Sequence, residues 1–482
     1  MKITLLVPPP SVRTKVPERV FGCTYSYYSM PQLPLLYVGA VLEKDEHEVK
    51  IKDFTEGASY DDLKTFLQSD DSDVYIIHTV LLAESTDIKA AETIIDNTSA
   101  SVVFFGPHPT LIPERFLFSN RCFVARGEPE YVVRDTVNAI SKGRFDSVRG
   151  LSYLKNGEIK ENETFGVIEN LDELPLPARH LVQDKGRYFN PKLKERPFTL
   201  MLASRGCSYR CYYCVPNAIS WAREIEWRRF HNNRKPPVKL RSAASIIKEF
   251  KQIKAEGYRA VSIIDDMFLF GGKQRIFKIC DGIKDLGISF GILARCEFVV
   301  DEDVVKALAE AGCKYVDLGV ESLEQEVLND IRKDLDVDMV KEAVKTLIKY
   351  GIEPKLNIMF GSSPKETKSS IEKTIRGVSE LPINYCMFLI ATPFPGTEFY
   401  EKALERKWAV EPDIHDLENT LSPTDKALVS YRHLSREDLQ KSVKRANRLF
   451  YLRPRRIIYQ LKTIRNLKDI IDIFKTGLKV IR

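Results

Sequence analysis

The stretch that decides the fold is SRGCSYRCYYC, residues 204–214, in which three cysteines follow the pattern C-x-x-x-C-x-x-C. It comes directly after the apolar run FTLMLAS, which is typical of a buried strand. In α/β barrels, the loops that follow the strands carry the active site. Three thiolates from one short loop can hold three irons of a [4Fe–4S] cluster and leave the fourth iron open. The alternative, a structural zinc site, needs four protein ligands, and no fourth cysteine or histidine lies close in sequence.

Length and composition exclude several other classes of protein. The chain has 482 residues, 44% hydrophobic and 29% charged, which predicts about three globular domains rather than a fibre or a disordered chain. No apolar run reaches the roughly 18 residues of a membrane-spanning helix. The N-terminal MKITLLVPPP is typical of a first strand and not of a signal peptide. We therefore expect a cytoplasmic protein whose nine cysteines form no disulfide framework.

The overall charge of +6 conceals an asymmetry. Residues 432–482 contain fifteen Lys and Arg against four Asp and Glu, a local +11, so the remainder of the chain carries −5. A mildly acidic body is not built to coat nucleic acid, and no nucleic-acid partner is expected. In the last predicted helix, Ile470, Ile471 and Phe474 share one face. Such a basic amphipathic helix predicts peripheral contact with an anionic membrane surface; the alternative is a helix packed on the protein with a solvated charged side.

Strand and helix patterns divide the chain into four parts. Residues 1–145 alternate apolar runs with helical patterns, which predicts a parallel sheet in a Rossmann-like domain. Residues 146–195 form a linker with a β-hairpin at Asn156-Gly157. Residues 196–395 contain six βα units and predict a partial (β/α)6 TIM-like barrel. Residues 396–482 are a helical, basic region. The fold class is therefore α/β. For the basic insertion at 217–241, three interpretations stay open: a wall of the substrate mouth, a contact for an acidic partner, or a mobile loop.

The cysteine motif resembles that of the radical S-adenosylmethionine (SAM) superfamily, and further segments resemble its cobalamin-dependent members. These segments are PQLPLLYVGAVLEKDEHEVKIKDF, GPHPTLIPERFL, RGEPEYV, LDELPLPARHL, IIDDMF, AGCKYVDLGVES and TPFPGTEFY. By pattern the chain is most similar to the subgroup of the hopanoid C-methylase and the anaerobic Mg-protoporphyrin cyclase. The resemblance covers nearly the whole chain and implies three cofactors: a [4Fe–4S] cluster, SAM and cobalamin.

The resemblance also implies roles for individual residues of the second series of strands. The cluster ligands would be Cys207, Cys211 and Cys214. Asp265 or Asp266 would receive the methionyl ammonium of SAM, with a helix cap as the alternative for this pair. For Arg295 and Glu321 the alternative is an ion pair with each other at the barrel mouth, and for Gly361 it is a simple turn. The expected contacts are Tyr213 with the adenine, Arg295 and Glu321 with the SAM carboxylate and ribose, and Gly361 with the adenine through its backbone.

In the first domain, the sequence differs from the family pattern at one motif. Many cobalamin domains carry D-x-H-x-x-G, whose histidine ligates the cobalt; here DFTEG places Thr55 where that histidine stands. His78 ends a predicted strand and His108 lies in GPHPT, so either could face the corrin; a structural role is the alternative. A nucleotide-binding domain, the other candidate, would carry G-x-G-x-x-G, which is missing. The expected cobalamin contacts are Thr79, Gly106, His108, Gly127 and Glu128.

The resemblance implies a reaction class with two alternatives. The first is C-methylation at an unactivated carbon, in which SAM yields a 5′-deoxyadenosyl radical and methylcobalamin supplies the methyl group. The second is a radical cyclase, or a C–C or C–O bond-forming enzyme, on a lipid or tetrapyrrole. A non-catalytic cobalamin or iron–sulfur sensor is a hypothesis of another class. A nucleic-acid methylthiolating enzyme would carry a second cysteine triad, and only Cys23 and Cys122 precede the motif. The expected partners are a small-molecule or lipid substrate and an electron donor such as ferredoxin or flavodoxin, in an anaerobic or oxygen-protected setting.

Overall fold

The computed structural model describes residues 1–11, 16–26, 29–410 and 426–463. The chain forms two compact units. The first consists of Met1–Ser208 with Val215–Phe290, and the second of Tyr209–Cys214 with Gly291–Arg482. The amphipathic helix predicted beyond residue 463 lies outside the described residues.

The first unit is built around a seven-stranded sheet. Its first five strands in spatial order pair in parallel, and the last two add an antiparallel hairpin. In spatial order the strands are Glu48–Asp53, Lys2–Val7, Val74–His78, Ser101–Phe105, Cys122–Ala125, Leu151–Lys155 and Glu158–Glu161. The α-helices of this unit are Leu33–Lys44, Tyr60–Ser69, Glu84–Asn97, Pro107–Leu111, Pro129–Lys142, Ala218–Phe230, Ala243–Ala255 and Lys273–Ile283.

Burial on both faces explains why the central strands are continuously apolar. In Val74–His78 every residue is buried. Val74 and Ile76 belong to the core on one face of the sheet, and Tyr75 and Ile77 to the core on the other. Side chains alternate along a strand, so a sheet covered by helices on both faces requires this pattern.

A six-stranded sheet follows, with its strands in the same order as in the chain. Its strands are Phe198–Met201, Ala260–Ile263, Ser289–Ala294, Cys313–Glu321, Glu353–Phe360 and Tyr385–Ile390. Two short pairs complete the strands: Val16–Pro17 with Tyr25–Ser26, and Ser204–Arg205 with Lys239–Leu240. The α-helices of the second unit are Glu302–Glu310, Gln325–Asp330, Val337–Lys349, Lys368–Glu380, Glu398–Glu405, Arg436–Tyr451 and Pro454–Thr463.

These elements confirm the expected α/β class and most of the predicted strands. The hairpin at Asn156-Gly157 is also confirmed, with φ of 54° and 84° at its two turn residues. Much of the basic insertion 217–241 is a helix and not a loop: Ala218–Phe230 is helical, and its Trp221 is buried. Helix Tyr60–Ser69 was not predicted. Among the described residues, no helix is long and apolar enough to cross a membrane.

Candidate active site

The cysteine loop begins after strand Ser204–Arg205 and leads into helix Ala218–Phe230. Cys207, Cys211 and Cys214 are all half-buried, and the described chain, which includes all nine cysteines, contains no disulfide. The N–H of Cys214 donates to the carbonyl of Cys211 at 3.3 Å, which closes a turn between these two. Within the described ranges, no three His, Cys, Asp or Glu side chains are grouped to hold a single metal ion. In a [4Fe–4S] cluster each thiolate binds a different iron, so one shared ion position is not required.

Asp265 holds the start of this loop from the neighbouring strand. Its two carboxylate oxygens accept hydrogen bonds at 2.6 Å, one from the N–H of Ala203 and one from the hydroxyl of Ser204. The side chain is fully buried, and burial raises its pKa to about 7. Asp265 therefore anchors the residues that precede the cysteines.

Asp266, the second member of the pair, lies at the N-terminus of helix Ala218–Phe230. One of its oxygens accepts from the N–H of Asn217 at 3.0 Å, and Asn217 itself caps the helix. The other oxygen is buried and accepts no hydrogen bond from the described residues. Burial raises the pKa of Asp266. One oxygen of Asp266 thus supports the helix N-terminus, as the helix-cap alternative predicted, and the other oxygen is available to a ligand.

Glu128 is held by partners within the protein. Its carboxylate accepts from Arg205 at 2.8 Å and from the N–H of Ile168. Arg205 also donates to Glu130, and all three charged side chains are almost completely buried. Arg205 stands two residues before Cys207, so this network supports the start of the cysteine loop. Sequence analysis did not single out Arg205 or Glu130, although Arg205 lies inside the motif.

In the second unit, Tyr213, Glu321 and Lys333 lie together. The hydroxyl of Tyr213 donates to Glu321, and the ammonium of Lys333 lies 3.1 Å from the same carboxylate. Burial and then the charge of Glu321 raise the pKa of Tyr213. Burial lowers the pKa of Lys333, but attraction to Glu321 and then to Cys211 outweighs it, so its pKa lies above the ordinary value.

Glu321 adopts a backbone conformation that is unusual for a side-chain-bearing residue. Its φ is +70°, and the register of its strand against Glu353–Phe360 shifts between Gly319 and Glu321. Left-handed backbone outside glycine costs free energy and is concentrated at functional sites. The Glu321 carboxylate lies 3.1 Å from the ammonium of Lys333. Nothing in the local sequence pattern marks Lys333.

The guanidinium of Arg295 makes stacking, ion-pair and hydrogen-bond contacts within the protein. Its guanidinium lies over the ring of Tyr209 at 3.6 Å and pairs with Glu297. It also donates to the carbonyls of Lys333 and Asp334, at 2.5 and 2.8 Å. These contacts join the cysteine loop, through Tyr209, to the segment that carries Lys333. The predicted ion pair between Arg295 and Glu321 is not formed: Arg295 pairs with Glu297, and Glu321 pairs with Lys333.

Gly361 follows strand Glu353–Phe360 with φ of +78°. A Cβ there would lie 2.9 Å from a side-chain atom of Leu439, and the carbonyl accepts from Tyr431 at 2.8 Å. Its N–H donates to Glu366, a buried carboxyl whose pKa burial raises to about 8. Close packing against helix Arg436–Tyr451 is thus one reason for a glycine here.

At the carboxyl edge of the first sheet, Gly106 lies against two predicted residues. Its φ is +119°, and a Cβ would lie 2.4 Å from the carbonyl oxygen of Thr79 and 2.9 Å from the ring of His78. The ring of His78 is buried and stacks on Phe105, and neither ring nitrogen has a hydrogen-bond partner in the described chain. Burial, and then Arg19, lowers its pKa to about 3, so the imidazole is neutral.

His108 and Gly127 have partners within the protein. The ring of His108 pairs with Glu84, which also binds Arg115, and its edge contacts Phe116. Gly127 has φ of +76°, and a Cβ there would lie 3.2 Å from the side chain of Glu226. These contacts favour the structural interpretation of His108. Of these two histidines, His78 is the one whose ring nitrogens have no hydrogen-bond partner among the described residues.

Comparison with known proteins identifies the family. The model of the Radical SAM superfamily matches residues 201–378. The chain is 31% identical to uncharacterized methyltransferase PH0819 of Pyrococcus horikoshii, over 95% of this chain and 94% of that protein. It is 24% identical to hopanoid C-3 methylase of Methylococcus capsulatus, over 88% and 76%.

The fold also matches a solved structure. It is similar to the radical SAM methyltransferase TsrM from Kitasatospora setae, solved with cobalamin and a [4Fe-4S] cluster bound. The TM-score is 0.64 at 17% identity, covering 92% of this chain and 81% of that one. The chain therefore belongs to the radical SAM superfamily and has the fold of its cobalamin-binding members.

Proposed function

We propose that this protein is a cobalamin-dependent radical SAM methyltransferase that acts at an unactivated carbon of a small-molecule or lipid substrate. The observation that carries the proposal is the three-cysteine loop that follows the first strand of the six-stranded sheet. The names of the relatives support it, since PH0819 and hopanoid C-3 methylase are both described as methyl-transferring proteins.

The donor set of the loop fits an iron–sulfur cluster. Three half-buried thiols, Cys207, Cys211 and Cys214, supply soft ligands of the kind that Fe–S clusters take. Lys333 is a buried cation that pairs with Glu321 and whose charge interacts with Cys211 and Cys214. A cluster held by three thiolates is anionic, so this cation favours its binding.

When bound, the cluster and SAM supply the reductive cleavage that generates a 5′-deoxyadenosyl radical, and cobalamin supplies the methyl group. Asp266 offers the buried carboxylate oxygen without a hydrogen-bond partner among the described residues, so it is our candidate for the methionyl ammonium. Asp265 has both oxygens occupied and acts as a positioning residue. For the carboxylate and ribose of SAM we retain Arg295 and Glu321.

The remaining assignments are the residues that we propose to contact the adenine of SAM and the cobalamin. Tyr213 and the backbone of Gly361 are retained as contacts for the adenine. At the carboxyl edge of the first sheet, Gly106 packs closely on Thr79 and His78. The two ring nitrogens of His78, which have no hydrogen-bond partner among the described residues, fit contact with a polar cofactor such as cobalamin. Ligands of parallel α/β sheets bind at this edge. Thr79, Gly127 and Glu128 border the same edge, and Glu128 acts there through Arg205.

Two alternatives make different predictions. A radical cyclase would use the same cofactors without transferring a methyl group to the product. A cobalamin or iron–sulfur sensor would not cleave SAM.

The proposed partner is a one-electron donor such as ferredoxin or flavodoxin. We also propose that the protein is cytoplasmic and contacts the membrane surface through its basic tail. The tail beyond residue 463 lies outside the described chain.

The cluster assignment is tested by replacing Cys211. Anaerobically reconstituted wild-type protein should bind about four irons per chain and cleave SAM when reduced with dithionite. Cys211→Ala should lose both properties, because one iron loses its protein ligand. The control is Cys280→Ala, a buried cysteine on helix Lys273–Ile283, which should keep both. SAM cleavage by Cys211→Ala at the wild-type rate would contradict the assignment.

A further inference from the structure

A buried arginine without its full set of partners lies beside the cysteine loop. Arg223 is on helix Ala218–Phe230 and is 0% exposed, which places it among the largest completely buried side chains of the described chain. Lys and Arg are almost never fully buried unless they are paired. Its surroundings therefore indicate what it binds.

Only part of the guanidinium is satisfied. Nη2 donates to the carbonyl of Pro237 at 2.6 Å. Nε lies 3.5 Å from the carboxylate of Glu128, too poorly aligned for a hydrogen bond, and that carboxylate already accepts from Arg205 and Ile168. Among the described residues, neither Nε nor Nη1 has a hydrogen-bond partner. Unpaired buried donors are rare because they have lost water without a replacement.

The unpaired Nη1 lies against the residue that precedes Cys207. A Cβ on Gly206 would be 2.9 Å from Nη1, so the guanidinium packs directly on the backbone there. The N–H of Gly206 donates to the hydroxyl of Ser220, on the same helix as Arg223, at 3.1 Å. The φ of Gly206 is +88°, and a side chain at this position would push the guanidinium away.

We propose that Arg223 donates a hydrogen bond from Nη1 to a sulfur on the Cys207 side of the cluster and so makes the cluster easier to reduce. This inference rests on the proposed function, because it requires the cluster. Reduction adds one negative charge, and a buried cationic donor stabilises the more negative state. Arg223 is a positioning and tuning residue in this account: it acts on the electron acceptor and need not touch SAM or the substrate.

The reduction potential of the cluster tests the inference. Arg223→Gln removes the charge, Arg223→Lys retains it with a shorter reach, and Arg228→Gln is the matched control. Arg228 lies on the same helix and is paired with Glu224. We expect the potential of Arg223→Gln to move to more negative values, with Arg223→Lys in between and Arg228→Gln unchanged. A tenfold fall in the ratio of reduced to oxidised cluster at fixed solution potential corresponds to about 59 mV.

Arg223→Gln with full iron content and the wild-type potential would overturn the inference alone. A wild-type chain that binds no cluster would instead overturn the proposed function. If Arg223→Gln does not fold, wild-type protein labelled with ¹⁵N-arginine decides the question by pulsed electron paramagnetic resonance of the reduced cluster. A ¹⁵N coupling supports the hydrogen bond, and a spectrum with no arginine nitrogen coupling overturns it.

Discussion

At the scale of single residues, the candidate active site depends on buried carboxylates that accept hydrogen bonds from the residues preceding the cysteine loop. Asp265 binds the backbone of Ala203 and the hydroxyl of Ser204, which precede the cysteine loop. The resemblance implied that Asp265 or Asp266 contacts the methionyl ammonium of SAM, and both oxygens of Asp265 accept hydrogen bonds within the protein. Its ionisation therefore affects the stability of the loop start.

Asp265→Asn should change the dependence of stability on pH. Burial raises the pKa of Asp265 from its ordinary 3.8 to about 7. The neutral carboxyl therefore contributes stability that is present below pH 4 and is lost as pH rises through about 7. A shift of this size is worth at most about 4 kcal/mol. The melting temperature of the wild type, relative to Asp265→Asn, should fall between pH 5 and pH 8.

The control for this titration is Asp285→Asn, since Asp285 is exposed. Its melting temperature should stay parallel to that of the wild type across the same range. A difference between Asp265→Asn and the wild type that does not change between pH 5 and pH 8 would show that Asp265 is already ionised in the folded protein throughout.

The cysteine motif could be read from the sequence, but its support could not. Three cysteines at fixed spacing are a local signal. Lys333 pairs with Glu321, which lies at a register shift and has a left-handed backbone, and both features depend on the neighbouring strand. Arg223 was part of a basic insertion in the sequence, and only burial distinguishes it from exposed arginines on the same helix.

At the scale of secondary-structure elements, strands were predicted better than helices. A strand buried on both faces is a continuous apolar run, so Val74–His78 and its neighbours were evident. Helix Tyr60–Ser69 buries only Leu63 and Leu67, which leaves a weak apolar pattern. In the segment 171–181, Arg179 is fully buried, where it donates to the carbonyl of Leu200 at 2.7 Å and pairs with Glu249. Nothing in the local sequence pattern predicts the burial of this arginine.

Gly106→Ala should disturb the carboxyl edge of the first sheet. The added Cβ would lie 2.4 Å from the carbonyl of Thr79, so the ends of strands Val74–His78 and Ser101–Phe105 would have to separate. We expect a lower melting temperature and weaker retention of cobalamin on gel filtration. Iron content should stay at the wild-type level, because the cysteine loop is in another part of the chain.

Gly143→Ala is the matched control for Gly106→Ala. Gly143 also has positive φ, +64°, but a Cβ there would meet nothing within 4 Å. Its cost should be backbone strain alone, about 1 kcal/mol, with cobalamin retained. Equal stability and equal cobalamin retention in the two variants would show that close packing at Gly106 has no role in cofactor binding.

At the scale of the whole molecule, the chain combines the fold of cobalamin-binding radical SAM proteins with a cysteine loop and a buried polar network that supports it. The sequence predicted the α/β class because alternating strand and helix patterns are local. It does not identify the substrate, since substrate recognition depends on surfaces that the family motifs do not encode. The basic region from residue 432 is the one sequence feature that points to a lipid surface.

Transfer of an isotope label from SAM to the product distinguishes a radical SAM methyltransferase from the alternatives. Reconstituted wild-type protein would be given cobalamin, a reductant and SAM with a deuterated methyl group in cell extract, beside Cys211→Ala under the same conditions. We expect 5′-deoxyadenosine together with a product that carries the deuterated methyl group, and we expect neither with Cys211→Ala. 5′-Deoxyadenosine without label in any product would contradict methyl transfer and favour the cyclase.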